Sequence, residues 1–205
     1  MQITPPCAAS LLIGGIFVMK SESKTVKFTD ELKLFGNAKV LAISGLLAAA
    51  SLILAFLAKS IFGTGPLRLT FENLPVFLAG FIFGPTVGAA TALCADLISC
   101  IITGMAPLPL VTFGAVAVGA VSGTVFRYIL PNADIRISVP AAVLSGHAVG
   151  SMLIKSIGLY NWFGSAVYLR IPLYVVISIF ESVLLIILLK NRSFMAQVGK
   201  VVKRK

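Results

Sequence analysis

Apolar residues run through this chain in long blocks, and the breaks between blocks are short and rich in Gly, Pro or charge. The first block predicts a membrane-crossing helix over Val40–Leu57. It gives way to KSIFGTGPLRLTFEN, whose glycines and proline read as ordered turn chemistry and not as more helix. A shorter apolar stretch, Leu74–Phe83, ends at Gly84-Pro85. Further spans are expected over Thr86–Ile102, Leu110–Leu130, Val139–Leu159 and Ala166–Leu189, with Gly104 and Pro131-Asn132 as punctuation. The pattern therefore predicts an all-α integral membrane bundle that crosses the bilayer about six times. With no soluble linker, residues 40–190 form one domain, preceded by residues 1–39 and followed by a basic tail, 191–205.

The leading segment contains FTDELKLFGNAK, from Phe28 to Lys39, which is amphipathic and reads as an interfacial helix. Upstream, Cys7–Met19 is apolar but too short to span a hydrocarbon core, and no basic stretch precedes it as in a signal peptide. Met19 is an alternative first residue, and residues 1–19 carry no functional weight here.

Composition agrees with the pattern. Hydrophobic residues make up 58% and charged residues 12% of the 205, with a mean hydropathy of +1.02. A soluble domain carries roughly 25% charged residues. The net charge of +10 sits mostly in the tails and one internal loop, which suits anionic lipid headgroups and not nucleic acid. Lys20, Lys24, Lys27, Lys33, Lys39, Arg127, Arg136, Lys190, Arg192, Lys200, Lys203, Arg204 and Lys205 fall on the side of the termini. Only Lys59 and Arg68 fall on the other. This asymmetry places both termini in the cytoplasm.

Cys7, Cys94 and Cys100 have neither disulfide nor metal spacing and read as small hydrophobes. Gly80/Gly84, Gly119/Gly123 and Gly146/Gly150 are small residues four apart, which suits close helix packing inside a bundle. Ser44/Ala48 and Gly45/Ala49 in the first span do the same on adjoining faces, where a second subunit could also sit.

Charges inside spans cost about 2.5–3.5 kcal/mol each, so each marks a candidate site. Threaded through six spans, Asp96, Lys155 and Arg170 fall in the outer half, near Arg68 in the outer loop. Three cations and one carboxylate suit an anion captured from outside; the alternative is a structural pair of Asp96 with Lys155 or Arg170. Arg68 is the foremost ligand candidate because its planar fork can hold a carboxylate with two bonds. Phe71, Tyr160, Trp162 and Tyr168 lie at the same level, as an interfacial belt or as stacking partners for a flat heterocycle. Glu181 falls toward the cytoplasmic half, and His147, in mid-span, reads as a packing histidine. No P-loop is present, so ATP is not bound in that manner. The Ser145-Gly146-His147 run cannot form a nucleophile–base pair, and no catalytic residue is assigned.

From about Glu31 to Asn191 the chain resembles the substrate-binding S components of energy-coupling factor (ECF) transporters, and within them the folate group. The resemblance is carried by ELKLFGNAKVLAISGLLAAAS, LRLTFENLPVFLAGFIFGPTVGAATALCADLI, GMAPLPLVTFGAVAVGAVSG, SGHAVGSMLIKSIGLY and LRIPLYVVISIFE. One departure is MAPLPL, where a Tyr-containing loop is expected. The resemblance implies a plasma-membrane bundle that captures a vitamin from outside. It would associate with a transmembrane T component and two ABC ATPases, which supply the ATP chemistry, and itself need no cofactor. Docking would use the small residues of the first helix, here Ser44, Gly45, Ala48 and Ala49. For a folate, Arg68 with Lys155 or Arg170 would pair with the glutamate carboxylates, and Phe71 and Trp162 would stack on the rings. Asp96 or Asn73 would meet the pterin amino edge, and the loop with Gly63 and Gly65 would gate the pocket. Alternatives are an S component for another small nutrient, such as pantothenate or a deazapurine, and an intramembrane enzyme.

Overall fold

The computed structural model describes residues 36–62, 70–104 and 106–196. The expected interfacial helix is therefore largely outside the described residues, as are residues 1–19, Gly63, Gly65, Arg68, the end of the basic tail and the side chain of Trp162. Regular structure among the described residues is helical: α1 (Ala38–Phe62), α2 (Leu74–Phe83), α3 (Pro85–Thr103) and α4 (Pro109–Thr124). α4 runs on through a π-helical turn, Val125–Ile129. α5 (Ile135–Gly146) continues through a longer π-helical stretch, His147–Ile154, into α6 (Lys155–Phe163). A 3₁₀ segment, Gly164–Leu169, then leads into α7 (Arg170–Lys190).

Among the described residues, five helical segments are long and apolar enough to cross a bilayer: Ala38–Ile61, Pro85–Thr103, Pro109–Ile129, Ile135–Asn161 and Gly164–Lys190. α2 is shorter. Its 10 residues rise about 15 Å, half of a ~30 Å hydrocarbon core. Length alone thus supports five full crossings plus α2, which is buried inside the bundle from Pro75 to Phe83.

Helix boundaries follow local chemistry. Pro85 and Pro109 occupy the first positions of α3 and α4, where a missing N–H costs nothing. Gly84 (φ 111°) separates α2 from α3, and Gly104 (φ 66°) ends α3 with its amide on the carbonyls of Cys100 and Ile101.

The bundle has two unlike halves. One is a packed core around Val40, Phe77, Phe81, Val87, Val118, Phe126, Val139, Val143, Leu185 and Leu189, with Phe81 and Phe126 stacked 4.2 Å apart. The other half encloses a cavity lined from Ser51 to Lys59 on α1, Asn73 to Val76 around the start of α2, and Ala92 to Thr103 on α3. Leu108 to Ala115, Lys155 to Phe163, and Arg170 to Tyr174 complete its wall. Each segment thus runs between the two halves in alternating direction. The start of α1 and the end of α7 belong to the packed half, and the cavity lies at the far end.

The glycine pairs pack within the bundle. A Cβ on Gly80 would come within 3.1 Å of the Gly119 carbonyl, one on Gly123 within 2.8 Å of Pro85 Cα, and one on Gly150 within 2.5 Å of Val118. Gly119 and Gly88 bring the α4 and α3 backbones into direct contact, so a methyl on Gly119 would overlap the Gly88 carbonyl.

Candidate functional site: a mixed-charge cavity

The cavity has a volume of about 220 Å³. Its residues reach it because each helix repeats a position every three or four residues: Ser51, Ala55 and Lys59 on α1; Ala92, Asp96, Ser99 and Thr103 on α3; Lys155, Leu159 and Phe163 on α6; Arg170 and Tyr174 on α7.

Asn73, Asp96, Lys155 and Arg170, four of the residues expected from sequence, meet here. Among the described residues, the cations at the wall are Lys59, Lys155 and Arg170, and the carboxylates are Glu72 and Asp96. Lys155 and Arg170 are each only 7% exposed. The stem of Lys155 passes over Gly114, whose missing side chain makes room for it. Arg170 donates from Nη2 to the Tyr174 hydroxyl at 3.0 Å and lies 5.3 Å from that ring's centroid. Its Nε has no hydrogen-bond partner, and neither has Nδ2 of Asn73, a residue 4% exposed.

The suggested pairing of Asp96 with Lys155 or Arg170 is not formed. Asp96 Oδ2 accepts instead from the Thr112 hydroxyl at 2.7 Å. Lys59 Nζ lies 3.4 Å from the Ser99 hydroxyl, and the Ser51 hydroxyl donates to the Glu72 carbonyl at 2.6 Å, fixing the loop before α2 against α1.

Other expected residues fall elsewhere. Phe71 is half-buried but off the cavity wall, because its neighbours Glu72 and Asn73 take the inward positions as the chain enters α2. Tyr160 and Tyr168 contact each other edge to face, with centroids 6.3 Å apart, and are exposed. Among the described residues, the aromatic rings at the cavity are Phe163 and Tyr174. On α1, Gly45 and Ala49 are exposed, and a Cβ on Gly45 would meet nothing within 4 Å. Ala48, also in the expected docking set, is 4% exposed and faces the bundle in line with Ser51 and Ala55.

The sequence reading missed Lys59, Glu72, Ser51, Phe163 and Tyr174. The available signal was helical spacing from recognised positions, three residues from Ala48 to Ser51 and four from Arg170 to Tyr174. Chemically, the wall offers buried cationic donors with unused capacity beside two carboxylates. That suits an amphoteric guest with carboxylate groups at one end and N–H donors elsewhere. Among the described residues no cluster of His, Cys, Asp and Glu is placed to hold a metal.

A model of the family "ECF transporter, substrate-specific component" matches residues 39–198. Neither a curated protein nor a solved structure matches the chain significantly.

Proposed function

The chain belongs to the substrate-specific components of ECF transporters, a multi-pass membrane family, and from that membership we propose that it captures folate at the outer face of the plasma membrane. The observation that carries this reading is the cavity itself. Two buried cations, Lys155 and Arg170, stand at its wall without a carboxylate partner, and Asn73 and Arg170 each keep an unused donor. A desolvated cation without a counter-ion is expensive in a bilayer, so an anionic ligand is the natural complement.

In this reading the bundle crosses the membrane six times with both termini in the cytoplasm, so the cavity half faces outward and the packed half closes the inner side. Arg170 and Lys155, with Arg68 from the loop outside the described residues, hold the carboxylates. Asp96 or Glu72 accepts from the amino edge of the pterin, while Phe163 and Tyr174, with Trp162, stack on the rings. The chain supplies no ATP chemistry. A T component and two ABC ATPases dock on the α1 face that carries Gly45 and Ala49, beside half-exposed Ser44, and drive release inward.

One observation favours a second reading. A cavity of about 220 Å³ is below the roughly 300 Å³ at which most small-molecule sites begin. Folate would place only one end of its length inside, whereas a smaller carboxylate such as pantothenate would be enclosed.

Binding and uptake measured together test the proposal. Purified protein is expected to bind folic acid in preference to pantothenate, and cells are expected to take folic acid up only when the T component and ATPases are co-expressed. Gly45→Trp, which the free chain can accommodate, is expected to abolish uptake and leave folic-acid binding intact. Tighter binding of pantothenate would transfer the site to the second reading; uptake without the ATPases would refute the S-component role.

A further inference from the structure

A second polar centre lies beyond the cavity wall. His147 and Glu181 are fully buried and joined Nε2 to Oε2 at 2.6 Å. The other ring nitrogen of His147 lies 3.2 Å from the Ser151 hydroxyl, and Glu181 Oε1 has no hydrogen-bond partner. Neither residue lines the cavity. A buried polar or charged pair is a poor source of stability, since apolar residues of like volume often do as well or better. Its geometric effect is more specific.

We propose that the His147–Glu181 pair positions the two cavity cations relative to each other, by pinning the span Ile135–Asn161 to α7. This rests on the reading that Lys155 and Arg170 together hold the ligand's carboxylate. On α7, Glu181, Tyr174 and Arg170 follow one another along one buried face at spacings of seven and four. The Tyr174 ring lies against the His147 ring, centroids 5.1 Å apart, and its hydroxyl accepts from Arg170. On the facing span, His147 opens the π-helical stretch His147–Ile154, and the next residue is Lys155. Phe77 closes the remaining side of the imidazole, edge-on at 5.1 Å. One cation is thus tied to the pair through Tyr174, the other through continuous backbone. A π-helical stretch shifts the register of everything after it, so an anchor where it begins determines where Lys155 emerges. His147 and Glu181 touch no ligand. They are positioning residues.

The chain has a single histidine, so ¹⁵N-histidine labelling of the full-length protein reports one imidazole. In the ligand-free protein, Arg170→Lys and Tyr174→Phe are expected to move its nitrogen resonances. Ser99→Ala, on the cavity wall away from these contacts, is expected to leave them in place. With folic acid as the probe, Glu181→Gln is expected to weaken binding roughly tenfold in the natural chain. When Arg170 is already lysine it should weaken binding less than about twofold, because no fork remains to be oriented. If Glu181→Gln fails to fold, Tyr174→Phe, which removes only a hydroxyl, replaces it in the same cycle. Equal weakening in both backgrounds, as a merely structural pair would give, overturns the proposal, as do imidazole resonances indifferent to Arg170→Lys. Resonances that respond in a protein that does not bind folic acid would uphold the coupling and remove folate as the ligand.

Discussion

Arg170→Met is expected to raise the Kd for folic acid about ten- to a hundredfold while leaving thermal stability unchanged or slightly higher. The two halves of that result have separate causes. A hydrogen bond to a charged group contributes about 1.5–3 kcal/mol, which sets the loss of affinity. The guanidinium is desolvated at 7% exposure with Nε unpartnered, and an apolar chain of similar length removes that cost. A residue retained at the expense of stability is one retained for its ligand. Arg170→Lys should fall between, because it keeps the charge and loses the planar fork. Titration of folic acid against the purified variants, beside their melting temperatures, checks both halves. A sharp fall in melting temperature with affinity intact would make Arg170 structural.

The largest effect on the fold is expected at Gly119. Any side chain there overlaps the backbone of Gly88, and two backbones in contact cannot yield as a flexible side chain does. Gly119→Leu should therefore cost about 3 kcal/mol or more, at or beyond the upper end of ordinary overpacking. It would part α3 from α4, whose cavity-lining residues include Asp96 and Ala115. Gly45→Leu is the matched control, since nothing lies within 4 Å of a Cβ there. The first variant is expected to melt at lower temperature or to aggregate in detergent, and the second to behave as the natural chain. Equal behaviour of the two would mean that α3 and α4 do not approach as described.

These two positions also show how legible the molecule was. Gly119 was visible because small residues four apart have one dominant use in an apolar bundle. The spans were visible because few sequences sustain such hydropathy, and the described helices begin and end within a few residues of the expected bounds. Asp96, Lys155 and Arg170 stood out because charge in a span is costly. Lys59 and Glu72 did not, since near a span's end a charge is ordinary. Tyr174 was one aromatic among many. The partners of these groups were illegible. Asp96 takes Thr112, 16 residues away, and His147 takes Glu181, 34 residues away. Such pairings depend on which helix faces form neighbours and on the π-helical register after Gly146, and neither leaves a periodic trace.

Cys100 allows the most direct test of outward capture, because it lines the cavity and is partly exposed. With Cys7 and Cys94 replaced by serine, intact cells are treated with a membrane-impermeant maleimide, with and without saturating folic acid. Outward capture predicts that Cys100 is labelled from outside and that folic acid slows the labelling. Labelling only after the cells are permeabilised would contradict it.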